Sequence, residues 1–549
     1  MAIDVLVVLI PLLPLLAAGV IGVGHLLGAL DGEADENTTA AIATSAIVLS
    51  CLLALALLIA DLLGKSSGTF EVGQWLSSAD LSIRISFITS GFSIALAALF
   101  AVLLFVIIRF SVNYMHREAG FHRFFFILSL FASAMLLLVL SGNIVGTFTG
   151  WEIAGVCSYL LIAYAYDRPV AAFNATRVFV TNRIGDAAFM LGIGLSYAWT
   201  NSLDWSQLNS LSAQLSTGQA SAIALCFSVA AFAKSAQLPF APWLARAAEG
   251  PTPSSAGFYG AVMIHAGVYL ILLLQPLFER APVVMLIVAA VGLLTAVYGF
   301  FVGLTQTDVK SSLFFATIGQ LGLMFLECGL GLWDLARWHL CAHAVVRGYQ
   351  VLTAPSLMHN IHNNPIKPVS PVIGDVRWMY VASLQRVWVD QITDWVLVKP
   401  IRRLAHDLAY FDDYIVDRAM GIPLPSGRSI STLAQVEKRK AATRQSLYSA
   451  LGVLGSTAPL NQTAGVAAVP KQDNQDGEFA RGTGFAGNLT QRVTAILYWF
   501  EDRLVIRGVG EDLIKYGHRL GLAANKIEQL LLNPGYLALF VLTIILVAL

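Results

Sequence analysis

Long apolar runs fill the first 350 residues of this 549-residue chain, and short polar breaks divide them. A helix needs about 20 mostly apolar residues to cross a bilayer. On that pattern the chain predicts membrane helices near 4–29, 39–63, 90–109, 122–141, 143–165, 170–199, 220–238, 254–275, 283–303, 309–328 and 337–353. A last apolar stretch at 534–549 follows Pro534 and reads as a short terminal span. The expected fold class is an all-α polytopic membrane protein of 11–12 transmembrane helices, some of them broken. Residues 1–353 form the transmembrane domain on this reading.

Beyond residue 353 the pattern changes. The stretch WVDQITDWVLVKPIRRLAHDLAYFDDYIVDRAM alternates apolar and charged positions at helical spacing, as helices lying along a membrane surface do. Residues 354–454 are read as a cytoplasmic amphipathic helical region, and 493–533 as a second one. Residues 455–492, with GVAAVPKQDNQDGEFARGTGFAGN, read as a flexible linker. FDDYIVDRAMG (411–421) and FEDRLVIRGVG (500–510) echo each other across it, as two related surface helices or by chance.

Loop charge sets the expected orientation. The loop RFSVNYMHREAGFHR is basic and is placed in the cytoplasm, and TNSLDWSQLNSLSAQLSTGQ, without Lys or Arg, outside. The N-terminus is then outside, 354–533 is cytoplasmic, and the acidic loop DGEADEN falls on the inner side. The start MAIDVLVV lacks an early Lys or Arg, so it reads as a retained helix rather than a cleaved signal. The expected location is the cell inner (plasma) membrane.

Composition narrows the function. The chain is 57% hydrophobic and 12% charged, with mean hydropathy +0.70 and zero net charge. Soluble domains carry about 25% charged residues. Zero net charge argues against nucleic acid as a partner, and membrane lipids are the expected surroundings. The cysteines Cys51, Cys157, Cys226, Cys328 and Cys341 are scattered without a metal spacing and read as small buried residues. No nucleotide, flavin or redox motif is present, so neither a cofactor nor a metal is expected, and no catalytic chemistry in this chain itself.

The candidate chemistry lies in ionisable residues inside apolar runs. Each costs roughly 2.5–3.5 kcal/mol on insertion scales. They are Glu152 in FTGWEIAGVC, Arg177, Arg183 and Asp186 in TRVFVTNRIGDAAFML, Lys234 in AAFAKSAQLPFAPW, His265 in AVMIHAGVYL, Lys310 in LTQTDVKSSLFF, and His339, His343 and Arg347 in HLCAHAVVRGYQ. Several have plain structural readings. Arg183 and Asp186, three apart on one helix, read equally as an ion pair. Arg177 reads as a snorkelling or paired side chain, and Lys310 as a helix-end anchor. Glu152 and Lys234, set among apolar and small residues, are hardest to read that way. Carboxylate, lysine and histidine series mark proton paths in membranes, and the prolines after Lys234 predict a broken helix beside a hydrated route.

At these residues the chain resembles the antiporter-like, proton-translocating membrane subunits of respiratory complex I and of multisubunit Na⁺/H⁺ (Mrp-type) antiporters. The stretches GWEIAGVCSYLLIAY, NRIGDAAFMLGIG, FAKSAQLPFAPWLARAAEGPTPSSA, LTQTDVKSSLFFATIGQLGLMF and HLCAHAVVRGYQ carry the likeness. It implies a proton path through Glu152, Lys234, His265, Lys310, His339 and His343, with Glu152 paired to Lys234. It implies modulating or gating roles for Asp186, Arg183, Arg347 and Tyr259. The chain departs from the family pattern in three ways. Tyr259 stands at a usual histidine position and His265 where threonine or lysine is common. Arg347 replaces lysine, and a guanidinium is a poor relay. The segment 354–400 holds no convincing span where the family continues with further helices.

The shortened form is similar to stand-alone relatives of the DabB type, from two-component inorganic-carbon uptake systems. That likeness implies a cation-conducting subunit that couples an ion gradient to bicarbonate or CO₂ uptake. Its partner would be a soluble or peripheral, zinc-containing, carbonic-anhydrase-like protein of the DabA type. The alternative is a proton-pumping component of a complex I-type NADH-quinone oxidoreductase or a cation/H⁺ antiporter, partnered by the other subunits of that larger membrane complex. A third reading is a non-conducting membrane platform.

Overall fold

The computed structural model describes residues 4–78, 81–306, 308–354 and 374–411. Contacts divide the chain into two units, Met1–Arg402 and Arg403–Leu549. Of the second unit, the described residues are 403–411, the end of one helix. The linker, the echo at 500–510 and the terminal span at 534–549 lie outside the described residues.

Helices α1 (Leu9–Leu26), α2 (Glu36–Leu62), α3 (Gly91–Tyr114), α4 (Phe121–Leu140), α5 (Ile144–Ile162) and α6 (Pro169–Thr200) follow one another back and forth. A short α7 (Trp205–Leu211) precedes α8 (Thr217–Lys234), which ends abruptly before α9 (Pro242–Arg246). The next span is itself interrupted. It runs as α10 (Thr252–Ser255), a π-helical stretch Ala256–Ala261, a 3₁₀ turn Met263–His265 and α11 (Ala266–Leu273). Then come α12 (Gln275–Glu279), α13 (Pro282–Gly303), α14 (Val309–Gly329) and α15 (Trp333–Thr353). After residue 373 the chain continues as α16 (Arg377–Leu384), α17 (Val389–Thr393), a π-helical turn Asp394–Val398 and α18 (Lys399–Phe411).

Among the described residues, nine helical segments are long and apolar enough to cross a membrane. The helices expected at 220–238 and 337–353 form as α8 and α15 but are not among the nine. Helix α15 is too polar along its length, with His339, His343 and Gln350 beside Arg337 and Arg347. The outer helices are lined with exposed large apolar side chains, among them Leu26, Leu62, Leu286 and Leu294. Small and polar residues face inward, as in α13, where Gly292, Thr295, Ala296 and Gly299 are buried. That inversion suits a lipid solvent, in which close backbone packing holds helices together. Helices α13 and α14 show it best. A Cβ added at Gly292 would lie 2.5 Å from the backbone nitrogen of Leu326.

Helix ends match their sequences. Asn143 caps α5 by accepting from Gly146 N at 2.7 Å. Ser216 and Gln219 form a capping box on α8, and Asp308 caps α14 by accepting from Ser311 N at 2.9 Å.

The sequence reading placed no element between residues 63 and 90. The structure puts a two-stranded antiparallel hairpin there, β1 (Thr69–Ser78) and β2 (Leu81–Ile88), with Phe70 opposite Phe87 and Gln74 opposite Arg84. The alternation LSIRISFI is a strand signal that the search for membrane spans passed over. The hairpin docks on the start of α5. Gly142 N donates to Ser86 O at 2.8 Å and Asn143 Nδ2 to Arg84 O at 2.5 Å. At the opposite end of the bundle the acidic loop meets the basic one. Arg117 Nε pairs with Glu33 at 2.7 Å, and His116 with Glu36 at 2.7 Å. The two loops therefore share a side, and their opposite signs pair across it.

Candidate functional site

Two carboxylates, an arginine and a lysine meet between α5, α6 and α8. Arg183, on α6, stands between Glu152 on α5 and Asp186 one turn along its own helix. It hydrogen-bonds Glu152 through Nη1 and lies 2.8 Å from Asp186 Oδ2 through Nη2. Trp151 Nε1 donates to the other Asp186 oxygen at 2.8 Å. Lys234 is 1% exposed, and its Nζ donates to the backbone carbonyl of Trp151 at 2.8 Å while lying 5.0 Å from that indole's centre. The expected Glu152–Lys234 pair is thus replaced in this structure. Arg183 holds the two acids, and the residue before Glu152 holds the lysine. The near neighbour of both cations is Gly155, where an added Cβ would lie 3.2 Å from Lys234 Nζ and 3.4 Å from Arg183 Nη2.

The break after Lys234 is built as its prolines suggest, but the protein itself fills most of the freed hydrogen-bond capacity. Trp243 Nε1 donates to Ala233 O at 2.8 Å, and Gln237 N to Phe232 O at 2.8 Å. Thr393 Oγ1 donates to Pro239 O at 2.9 Å. Ala236 adopts φ +51°, a left-handed conformation costing roughly 1–2 kcal/mol for a residue with a Cβ. Ser235 then ties the two broken helices together. Its hydroxyl donates to Ile264 O at 2.7 Å and accepts from Gly267 N at 3.1 Å. Tyr259 is buried in the π-helical stretch against Trp243 and Phe314, and its hydroxyl has no protein partner among the described residues. Lys310, at the start of α14, donates to Thr252 Oγ1 at 2.6 Å. It therefore marks the end of the second broken helix.

The three ionisable residues of HLCAHAVVRGYQ divide between two neighbourhoods. His339 turns toward α14, where Nδ1 lies 2.8 Å from Glu327 and Nε2 lies 2.8 Å from Gln320 Oε1. His343 turns the other way. Its Nδ1 is 2.9 Å from Nε2 of His265, and its Nε2 is 3.4 Å from Arg347 Nε. The rings of His339 and His343 are 6.4 Å apart, centre to centre, and do not hydrogen-bond each other. Sequence reading took the two as neighbours on one helix face and missed that each has a separate partner.

Arg177 pairs, as its bland reading held. It is 4% exposed and lies 2.9 Å from Asp394 and 3.8 Å from Asp390. Arg246 and Arg386 also reach Asp390, at 3.3 and 3.2 Å. Arg177 and Arg246 thus fasten the segment 386–394 to α6 and α9, and Arg386 pairs with Asp390 within it. A polar cavity of about 400 Å³ opens beside this cluster, lined in part by Asn174, Arg246, Arg386 and Asp390. Among the described residues no three His, Cys, Asp or Glu side chains gather as a metal site.

Residues 141–368 match the family profile described as NADH:quinone oxidoreductase/Mrp antiporter, TM, and 75–125 match that of NADH-Ubiquinone oxidoreductase (complex I), chain 5 N-terminus. The chain belongs to this antiporter-like family. It is 35% identical over 372 residues to NAD(P)H-quinone oxidoreductase subunit 5, chloroplastic, of Zygnema circumcarinatum, covering 67% of this chain and 52% of the relative. It is 35% identical over 381 residues to NAD(P)H-quinone oxidoreductase chain 5 of Picosynechococcus sp., covering 67% and 57%. This antiporter-like chain therefore spans about half the length of the curated relatives it matches. Among solved structures it is similar to a chain of the Mrp complex from Dietzia sp., with TM-score 0.55 and 26% identity over 62% of this chain and 37% of that one. The fold is also shared with a chain of the membrane-bound sulfane sulfur reductase, an archaeal respiratory membrane complex, at TM-score 0.55 and 19% identity over 70% and 80%.

Every ionisable position singled out from the sequence lies within the family profile's span. The sequence reading missed Glu327 and Gln320, the partners of His339, and Asp390 and Asp394, the partners of Arg177. Glu327 carries the same signal as Glu152, an acid in an apolar run, two residues from the end of α14 at Gly329. The pairing of Asp390 with α6 spans more than 200 residues of sequence and left no local signal.

Proposed function

We propose that this chain is a proton-translocating membrane subunit of a larger complex of the quinone oxidoreductase or Mrp type. The observation that carries the reading is the half-buried pair Glu152–Arg183 joined to the buried Asp186, with buried Lys234 at the end of a broken helix. A bilayer protein that needed only to be stable would lose nothing by replacing these with apolar residues, because burying paired charges rarely gains net stability. Their switchable partners suit ion transfer. Lys234 can leave a backbone carbonyl for a carboxylate, and Arg183 can release one acid while keeping the other.

The relatives reported above are named as quinone oxidoreductase subunits or belong to an Mrp complex. They support this reading over inorganic-carbon uptake, which the shortened form had favoured from sequence. The partners proposed are accordingly other subunits of such a complex, and not a zinc-containing carbonic-anhydrase-like protein. The test is to purify the native assembly in mild detergent and identify its subunits by mass spectrometry. Quinone oxidoreductase or antiporter subunits in fixed stoichiometry are expected. A zinc-containing cytoplasmic protein as the sole stoichiometric partner would overturn the assignment of the complex.

A further inference from the structure

The Arg347–His343–His265 chain has a fixed hydrogen-bond direction. A guanidinium has only donors. Arg347 Nε therefore donates to His343 Nε2, at 3.4 Å. That nitrogen must accept, so the proton of a neutral His343 is on Nδ1. His343 Nδ1 lies 2.9 Å from His265 Nε2 and donates to it. His265 in turn carries its own proton on Nδ1, which faces the backbone carbonyls of Ala261 and Val262. A cationic His343 would point its Nε2–H at the N–H of Arg347, so this arrangement excludes it. His265 is fully buried and the other two nearly so. Among the described residues Arg347 is held by this contact with His343 and by no carboxylate ion pair.

We propose that Arg347 is a positioning residue that latches the His343–His265 link shut. While it is docked, both nitrogens of His343 are engaged, and a proton coming from the Glu327–His339 side finds no free lone pair. When Arg347 swings away, His343 Nε2 takes a proton. The Nδ1 proton of His343 passes to His265 Nε2, and His265 releases its Nδ1 proton onward. One proton enters, one crosses between the rings and one leaves. Both rings then carry their proton on Nε2, and the Nε2–H of His343 repels Arg347 Nε–H. The arginine cannot redock until the rings reset, so the link passes one proton per opening. The latch rests on the reading of the buried charges as a proton path.

The test labels the histidines of the full complex with ¹⁵N, reconstitutes it in lipid and reads the ring tautomers by solid-state NMR, with His343→Asn and His265→Thr used for assignment. Both rings are expected as Nδ1–H, the less common neutral form. In Arg347→Met the His343 signal is expected to move to Nε2–H, and passive proton leak through proteoliposomes to rise several-fold. A wild-type His343 found as Nε2–H or as imidazolium overturns the proposal, and so does an Arg347→Met variant with unchanged tautomers or unchanged leak. Lys234→Ala in the same assay separates the two ideas. If it abolishes driven flux while the Arg347 results fail, the latch falls and the path stands; if driven flux survives, the path reading falls.

Discussion

Gly155 lies against both cations of the site. An added Cβ would press on Lys234 Nζ and Arg183 Nη2 together, at 3.2 and 3.4 Å. Alanine is the better helix former by about 1 kcal/mol, so Gly155→Ala is expected to leave assembly intact or slightly firmer. Displacing the lysine by a few tenths of an ångström is expected to lower driven proton flux about tenfold, equivalent to ~1.4 kcal/mol on the rate. Normal flux at normal expression would show that Lys234 is not held to a tight position. Arg183→Gln separates the acids from their common cation. It is expected to abolish driven flux and to lower thermal stability by about 3–5 kcal/mol, because the buried Asp186 loses its charge partner. A melting curve alongside the flux assay checks both parts. Glu152, Asp186 and Lys234 were legible as single residues, because an ionisable group in an apolar run is conspicuous by cost alone. Their pairing was not legible, since it depends on which rotamer crosses between helices.

At the scale of elements, the membrane helices were plain in the hydrophobic pattern, and the hairpin at 69–88 was not found because the same scan averages alternation away. Packing between elements gives its own prediction. Gly322→Val on α14 would drive side-chain atoms into the backbone of α13 at Ala296, whereas Gly19 on α1 has open space around its Cα. The first is expected to abolish folding and the second, as Gly19→Ala, to leave it unchanged, as judged by detergent-resistant monodispersity on gel filtration. Both behaving alike would contradict the close α13–α14 packing. The break in α8 was read correctly from its prolines, but its carbonyls turn out to be satisfied largely by Trp243, Gln237 and Thr393.

Across the molecule, the first unit joins a membrane bundle to a polar segment at one side. Asp390 draws Arg177, Arg246 and Arg386 together, and removing it would strip Arg246 and Arg386 of this partner and leave Arg177 with the carboxylate of Asp394 alone. Losing one partner of a buried charge group costs about 3–5 kcal/mol. Asp390→Ala is therefore expected to release the segment 386–394 and make trypsin cleavage at Arg386 faster than in the wild type. The family was legible from ordered motifs, while the choice of complex was not, because it depends on partners that leave no pattern in this chain. The central claim is that the buried charges carry protons. It is tested most directly by pH-dye quenching in proteoliposomes of the purified complex under its own driving reaction, comparing wild type with Lys234→Ala at equal incorporation. Driven acidification is expected in the wild type and its loss in Lys234→Ala; acidification at the wild-type rate in Lys234→Ala would contradict the account.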